Sequence, residues 1–149
     1  MDLTGVEANL DLGSYNGFTF MNIGALDTVK YNPTYSTDSG YNNAAISSPN
    51  VAFVLNGVIG SISSATPFSF YGAYFTAPWL NDLSVEIKGY LLNTEVYSQT
   101  ITISSTASFF FLADWNNIDK ITFEGSGGTD AGYSYQGRLK IFFFSIFFG

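Results

Sequence analysis

The chain contains no cysteine and no histidine. Thiol nucleophiles, disulfides and thiolate zinc sites are therefore absent, as are imidazole bases, imidazole metal ligands and a Ser-His-Asp triad. Charge is scarce: Asp, Glu, Lys and Arg make up 11% of the 149 residues, against about 25% in ordinary soluble domains. The five basic residues, Lys30, Lys88, Lys120, Arg138 and Lys140, form no basic stripe, and the net charge is −7. A chain of that kind has nothing to neutralise phosphates, so nucleic acid and anionic membrane surfaces are poor partners. The first residues, Met1-Asp2-Leu3-Thr4-Gly5, lack the basic start and apolar core of a signal peptide. Asn32-Pro33-Thr34 is blocked as a glycosylation acceptor by its proline. No helix is expected, because apolar residues never recur for long at i, i+3, i+4 and i+7.

What remains is apolar and aromatic: 46% hydrophobic and 18% aromatic residues, too many for a disordered chain. Residues 1–149 are read as one domain, long enough to bury a core. Its polar surface has to be built from Ser, Thr, Asn, Gly and Tyr. Such a surface suits an extracellular or cell-surface setting, hydrogen bonding to sugars, or packing into an assembly in which few charges need desolvating.

Strand signals run the length of the chain. Phe18-Thr19-Phe20-Met21 follows the turn residues Tyr15-Asn16-Gly17, and residues 23–50 read as a long polar excursion. Val51 to Leu55 reads as a buried strand, Val58 to Ser63 as a short edge strand, and Phe68 to Ala77 as a further strand ending at Pro78. Leu83 to Leu91 alternates cleanly, with Leu83, Val85, Ile87 and Gly89 inward and Ser84, Glu86, Lys88 and Tyr90 outward. Glu95 to Ile103 reads as its hairpin partner. Phe109–Leu112 and Ile118–Phe123 add two strands, Gly125-Ser126-Gly127-Gly128 reads as a loop, and a last strand starts near Arg138. Eight to ten strands without helices imply an all-β antiparallel sandwich, jelly-roll-like in topology.

The C-terminal Ile141-Phe142-Phe143-Phe144-Ser145-Ile146-Phe147-Phe148 is apolar on both faces. At this length it is far short of the roughly 20 residues of a transmembrane helix. Two readings stay open. The segment is the central strand of the sandwich, or Phe142, Phe143, Phe144, Phe147 and Phe148 form an interface with another subunit.

Other candidates carry paired readings as well. Trp79, with Asn81 and Asp82, follows Pro78; it stacks a sugar ring, or folds back as a core plug with Asp82 serving the turn. Tyr31, Tyr35 and Tyr41, with Tyr133 and Tyr135, form an adaptable binding surface or seal the ends of the sandwich. Asp114, Asp119, Glu124 and Asp130 are close in sequence, but nothing in the sequence brings a glycosidase pair into one cleft. Calcium is compatible with such a sandwich, yet no Asp-x-Asp-x-Asp-Gly loop is present, and Asp38-Ser39-Gly40 and Asp130 are weak ligands.

The segments Tyr15-Asn16-Gly17-Phe18-Thr19-Phe20-Met21-Asn22, Ser48-Pro49-Asn50-Val51-Ala52-Phe53, Ala65-Thr66-Pro67-Phe68, Ala73 to Tyr90 and Ile118-Asp119-Lys120-Ile121-Thr122-Phe123 occur in this order. Together, over residues 15–129, they resemble the secreted β-sandwich domains of bacterial exosortase-sorted (PEP-CTERM) proteins. The resemblance implies export and a carbohydrate-binding-module-like architecture. It brings no catalytic motif. Where that family's last strand commonly carries an Asp-Asn pair, this chain has Phe142-Phe143-Phe144-Ser145, and the Pro-Glu-Pro sorting signal is absent.

The sequence thus leads to a non-enzymatic extracellular structural subunit of a surface layer, matrix or filament. It would be a homo-oligomer or polymer assembled through aromatic patches and strand edges. The alternative is a carbohydrate-binding module that engages polysaccharide through Trp79 and the loop tyrosines.

Overall fold

The structure, a computed structural model, describes residues 8–9, 13–27, 50–55, 57–132 and 141–148. Ten strands are present among them: β1 (Ala8–Asn9), β2 (Gly13–Tyr15), β3 (Phe18–Met21), β4 (Gly24–Asp27), β5 (Asn50–Leu55), β6 (Ile59–Thr76), β7 (Leu80–Leu91), β8 (Thr94–Ile103), β9 (Phe109–Asp130) and β10 (Ile141–Phe148). All pairings are antiparallel, in the order β1-β4-β5-β10-β6-β9-β7-β8, with β3 joining β2 to β6. The described residues contain no helix long and apolar enough to cross a membrane.

Two strands turn this single hydrogen-bonded path into two layers. The first part of β6 pairs with β3 and with the far part of β9, while its last part pairs with β10 and the beginning of β9. One layer is therefore β1-β4-β5-β10 with the end of β6 and the start of β9. The other is β2-β3 with the start of β6, the end of β9, β7 and β8. Strands change layer at bulges. Gly72 pairs with Leu112 and Phe70 with Trp115, so Tyr71 alone stands against Ala113 and Asp114. Phe70 and Phe68 next leave Ser69 against Asn116 and Asn117. Asp114 and Asn117 take φ of 51° and 56°, the left-handed conformation a bulge requires and Asn and Asp tolerate best.

The core lies between the layers. Phe123 of β9 stacks on Phe144 of β10 at 4.7 Å and meets Phe75 of β6 at 6.0 Å, although neither is its ladder neighbour. At the other end Trp115 stacks on Tyr97 of β8 at 5.1 Å and 7°. Gly89 makes this stack fit: a Cβ there would stand 3.1 Å from Trp115 Cε3 and 3.3 Å from Tyr97 Cδ2. Phe70, Phe75, Phe123, Phe142 and Phe144 are fully buried, each stabilising the fold by about 1.5–3 kcal/mol relative to exposure.

The alternation expected for β7 is observed: Leu83, Val85, Ile87 and Gly89 are buried and Ser84, Glu86, Lys88 and Tyr90 are half-buried. Three expectations are corrected. Val58–Ser63 is no edge strand; from Ile59 it begins β6, flanked by β3 and β9. Phe109–Leu112 and Ile118–Phe123 are one strand bent at its bulges. Gly125, Ser126 and Gly127 are ladder residues opposite Val85, Ser84 and Leu83, not a loop. In addition, Gly24–Asp27, inside the expected polar excursion, is strand β4.

Candidate functional site

The C-terminal strand is interior, hydrogen-bonded to β5 on one side and β6 on the other. Phe142 and Phe144 are in the core at 0% and 2% exposure, so neither is open to a partner. Among its described side chains, the most exposed are at the end of the strand, with Phe147 at 37% and Phe148 at 38%. Phe148 closes a corner of the sandwich, stacked on Phe18 at 4.6 Å and edge-on to Phe68 at 5.6 Å. The side chain of Phe143 lies outside the description.

Phe147 leads into a cluster of aromatic side chains at the surface. In register, Phe147 lies beside Gly72, which lies beside Leu112; one row on, Ser145 lies beside Tyr74 and Tyr74 beside Phe110. Tyr74 and Phe110 are 4.7 Å apart at 48°, Tyr71 and Phe110 6.2 Å apart at 46°, and Tyr74 and Phe147 6.0 Å apart at 77°. Exposure reaches 49% at Tyr71 and 58% at Leu112. Gly72 lets the rings lie low. A Cβ on it would come within 2.5 Å of the Phe111 carbonyl oxygen and 2.9 Å of Phe110 Cζ, so the Phe110 ring occupies that space.

Polar groups border this platform. The bulge that carries Tyr71 also carries the exposed Asp114. Beside it Ser69 Oγ donates to Asn116 Oδ1 at 3.0 Å, and Asn116 Nδ2 donates to the Asp114 carbonyl at 3.4 Å. A platform of rings edged by hydroxyl, amide and carboxylate groups offers stacking and hydrogen bonding. It contains no nucleophile–base pair.

The outer face of the opposite layer is built differently. Its rows read Ile59–Glu124–Glu86–Thr100, Met21–Ser61–Thr122–Lys88–Ser98 and Thr19–Ser63–Lys120–Tyr90–Glu95. Glu86 and Glu124 stand directly opposite each other, a repulsive arrangement. Lys88 relieves it, with Nζ 3.4 Å from Glu86 and 3.1 Å from Glu95. The hydrogen bonds to Glu95 and then Glu86 hold its ammonium above the ordinary lysine pKa. Lys120 sits over the Tyr90 ring at 4.6 Å.

The residues singled out from sequence are placed as follows. Trp79 is buried at 5% exposure and cannot stack a sugar; its carbonyl accepts from Ala131 N at 3.0 Å. Asn81 is a strap, its Oδ1 accepting from Ser105 Oγ at 3.0 Å and Ser105 N at 3.4 Å. Asp82 is exposed with φ 53°, its N–H donating to Ser104 Oγ at 3.0 Å. The burial of Trp79 corrects its sugar-stacking reading, because a ring at 5% exposure has no free face for a sugar. Tyr31, Tyr35, Tyr41, Tyr133, Tyr135, Asp38 and Ser39 lie outside the described residues.

The four carboxylates do not converge. Asp119 Oδ2 accepts from Leu92 N at 3.0 Å and closes the β7–β8 turn, and Asp130 Oδ1 accepts from Gly132 N at 2.8 Å. Asp114 is at the bulge and Glu124 on the polar face. Among the described residues no group of three or more Asp and Glu could hold a metal ion.

Sequence reasoning passed over Tyr71, Tyr74, Phe110 and Leu112. A usable signal was there: Phe70-Tyr71 and Phe109-Phe110-Phe111-Leu112 are apolar at adjacent positions, hence on both faces, as in the terminal strand.

No family model and no curated protein matches the chain. Solved structures similar to it include the following two. TmCBM61 in complex with β-1,4-galactotriose is 12% identical with a TM-score of 0.39, covering 92% of each chain. A carbohydrate-binding module of the CBM4 group is 12% identical with a TM-score of 0.36, covering 96% of this chain and 95% of its own. At this depth of similarity the site has to be read from its own geometry.

Proposed function

We propose that this protein is a non-catalytic β-sandwich that binds carbohydrate outside the cell, through the platform of Tyr71, Tyr74, Phe110 and Phe147. The observation that carries the reading is the ring cluster over Gly72, in which half-buried Tyr74 and Phe110 lie beside Tyr71 at 49% exposure and Leu112 at 58%. Apolar C–H faces of pyranose rings pack on aromatic rings, while tyrosine hydroxyls and the Ser69–Asn116 pair offer partners for sugar hydroxyls. The net charge of −7 disfavours anionic polymers, so the ligand is a neutral glycan. The low-charge, hydroxyl-rich surface and the resemblance of residues 15–129 to exported domains agree with an extracellular location.

Affinity electrophoresis through gels containing neutral soluble polysaccharides (β-1,4-galactan, xylan and a soluble cellulose derivative) tests this. The full chain is retarded in at least one gel, and Tyr71→Ala/Tyr74→Ala migrates as in the empty gel. Equal mobility of both proteins in every gel rejects the reading.

Leu112 and Phe147, which offer no hydroxyl, favour a second reading, a structural subunit of a surface layer, matrix or filament that packs through the same patch. In that case sedimentation grows with concentration, and Phe147→Ser abolishes the growth.

A further inference from the structure

The glycan reading uses one outer face and leaves an edge of the sheet unexplained. β8 is the last strand of the hydrogen-bonded path, and no described strand pairs with its far side. Its ten residues, Thr94–Ile103, include no proline, glycine or lysine. Ser98, Gln99 and Thr100 are exposed at consecutive positions, hence on both faces, and Val96 is 47% exposed. An edge this long, whose outward backbone donors and acceptors no described strand engages and which has none of the usual protecting residues, accepts another strand.

The sequence of the edge specifies which strand. Val96 to Ile103 is an uncharged stretch in a chain of net charge −7. The nearest acid, Glu95, is held by Lys88 at 3.1 Å. Two copies of β8 set antiparallel around a two-fold at Thr100 bring Thr100 against Thr100 and Ser98 against Thr102, all on the polar outer face. On the inner face Gln99 meets Ile101, and Tyr97 meets Ile103. No like charges are opposed and each side chain keeps its face, as an isologous contact requires. We infer that β8 is a dimerisation edge, joining the β2-β3-β6-β9-β7-β8 layers of two copies into one continuous sheet.

Analytical ultracentrifugation of the full chain and two edge variants tests it, independently of sugar binding. Thr100 is exposed and faces Glu86 within its own sheet, so Thr100→Lys gains a partner there and Thr100→Glu meets one like charge at the sheet surface, and both variants fold. Across the two-fold they place like charges about 4.5–5.5 Å apart at Cα. The wild type sediments as a dimer at micromolar concentration, and each variant alone weakens dimerisation about tenfold or more, with circular dichroism unchanged. An equimolar mixture of the two restores the dimer, because lysine then faces glutamate. A wild type that is monomeric up to about millimolar concentration overturns the inference, as does a Thr100→Lys protein that dimerises like the wild type. The glycan reading is judged apart: a monomeric Thr100→Lys protein retains retardation in polysaccharide gels if Tyr71 and Tyr74 bind sugar.

Discussion

The two outer faces of the sandwich share one backbone architecture and almost opposite chemistry. Over the layer containing β10, neighbouring ladder positions are Phe147, Gly72 and Leu112, then Ser145, Tyr74 and Phe110. Over the layer containing β7 and β8 they are Met21, Ser61, Thr122, Lys88 and Ser98. Hydration explains most of the second face, since small hydroxyls and a compensated ion trio are content in water, and its exposed apolar residues, Met21 and Ile59, stand singly at the ends of their rows. It does not explain the first. Leaving Tyr71, Leu112 and Phe147 in water forgoes burial of apolar area at about 25 cal/mol per Å². A monomer with no use for that surface would gain solubility by replacing it. The contrast between the faces, more than the presence of aromatic residues, is what the proposed glycan reading rests on.

The largest effect that sharpens this contrast lies within β10. Phe144→Ala removes a ring stacked on Phe123 in the core and lowers stability by about 3–5 kcal/mol. Phe147→Ala, three residues on and 37% exposed, costs under about 1 kcal/mol. Urea unfolding followed by tryptophan fluorescence measures both; equal losses would mean that Phe147 belongs to the core and the platform is smaller than drawn. Next comes Gly72→Ala. Its new Cβ meets the Phe111 carbonyl oxygen at 2.5 Å, which is backbone and gives little. Destabilisation of about 1–3 kcal/mol is expected, with weaker polysaccharide retardation as Phe110 is lifted. An unchanged melting curve would show that β6 and β9 separate there freely.

The smallest effects belong to the polar face. Ser61→Ala and Thr122→Ala change stability by less than about 0.5 kcal/mol and leave polysaccharide binding as it was. Lys88 adds a pH signature. Its pKa is raised in the folded protein by Glu95 and Glu86. Its contribution is therefore fully present below the ordinary lysine pKa and fades as pH rises through the raised one. Melting of the wild type and Lys88→Gln differs by a constant small amount at neutral and mildly alkaline pH, and the curves converge in strong alkali. A gap that widens with alkalinity would give the shift the wrong sign.

The architecture was legible wherever one side-chain period ran undisturbed. Leu83 to Leu91 was readable because inside and outside alternate without interruption, and its partner through Ile103 because the turn at Leu92-Asn93 hands the chain straight back. The layer-switching strands were not. Ala65-Thr66-Pro67 and Gly125-Ser126-Gly127-Gly128 resemble breaks, yet each is carried inside one long strand. Pro67 is tolerated because the ladder is interrupted between Ser63 and Phe68. Gly125 and Gly127 pair across to Val85 and Leu83, where backbone alone forms the ladder.

The site was less legible than the fold. Trp79 looked available because it follows a proline in a connection, but a connection can turn its largest side chain inward. The terminal phenylalanines admitted two readings, and the core reading holds for Phe142 and Phe144, while Phe147 reaches the surface. The platform is assembled from Tyr71, Tyr74, Phe110 and Phe147, far apart in sequence, and the register that unites them depends on bulges at Tyr71 and Ser69 that no local pattern announces.

Backbone amide NMR shifts during titration with a retarding polysaccharide test the central claim most directly. Perturbations concentrated at Tyr71–Tyr74, Phe110–Leu112 and Ser145–Phe147, with Ser84–Lys88 and Lys120–Glu124 silent, are the predicted result. Perturbations concentrated on the Ser84–Lys88 and Lys120–Glu124 face, with the aromatic rows silent, would contradict the account.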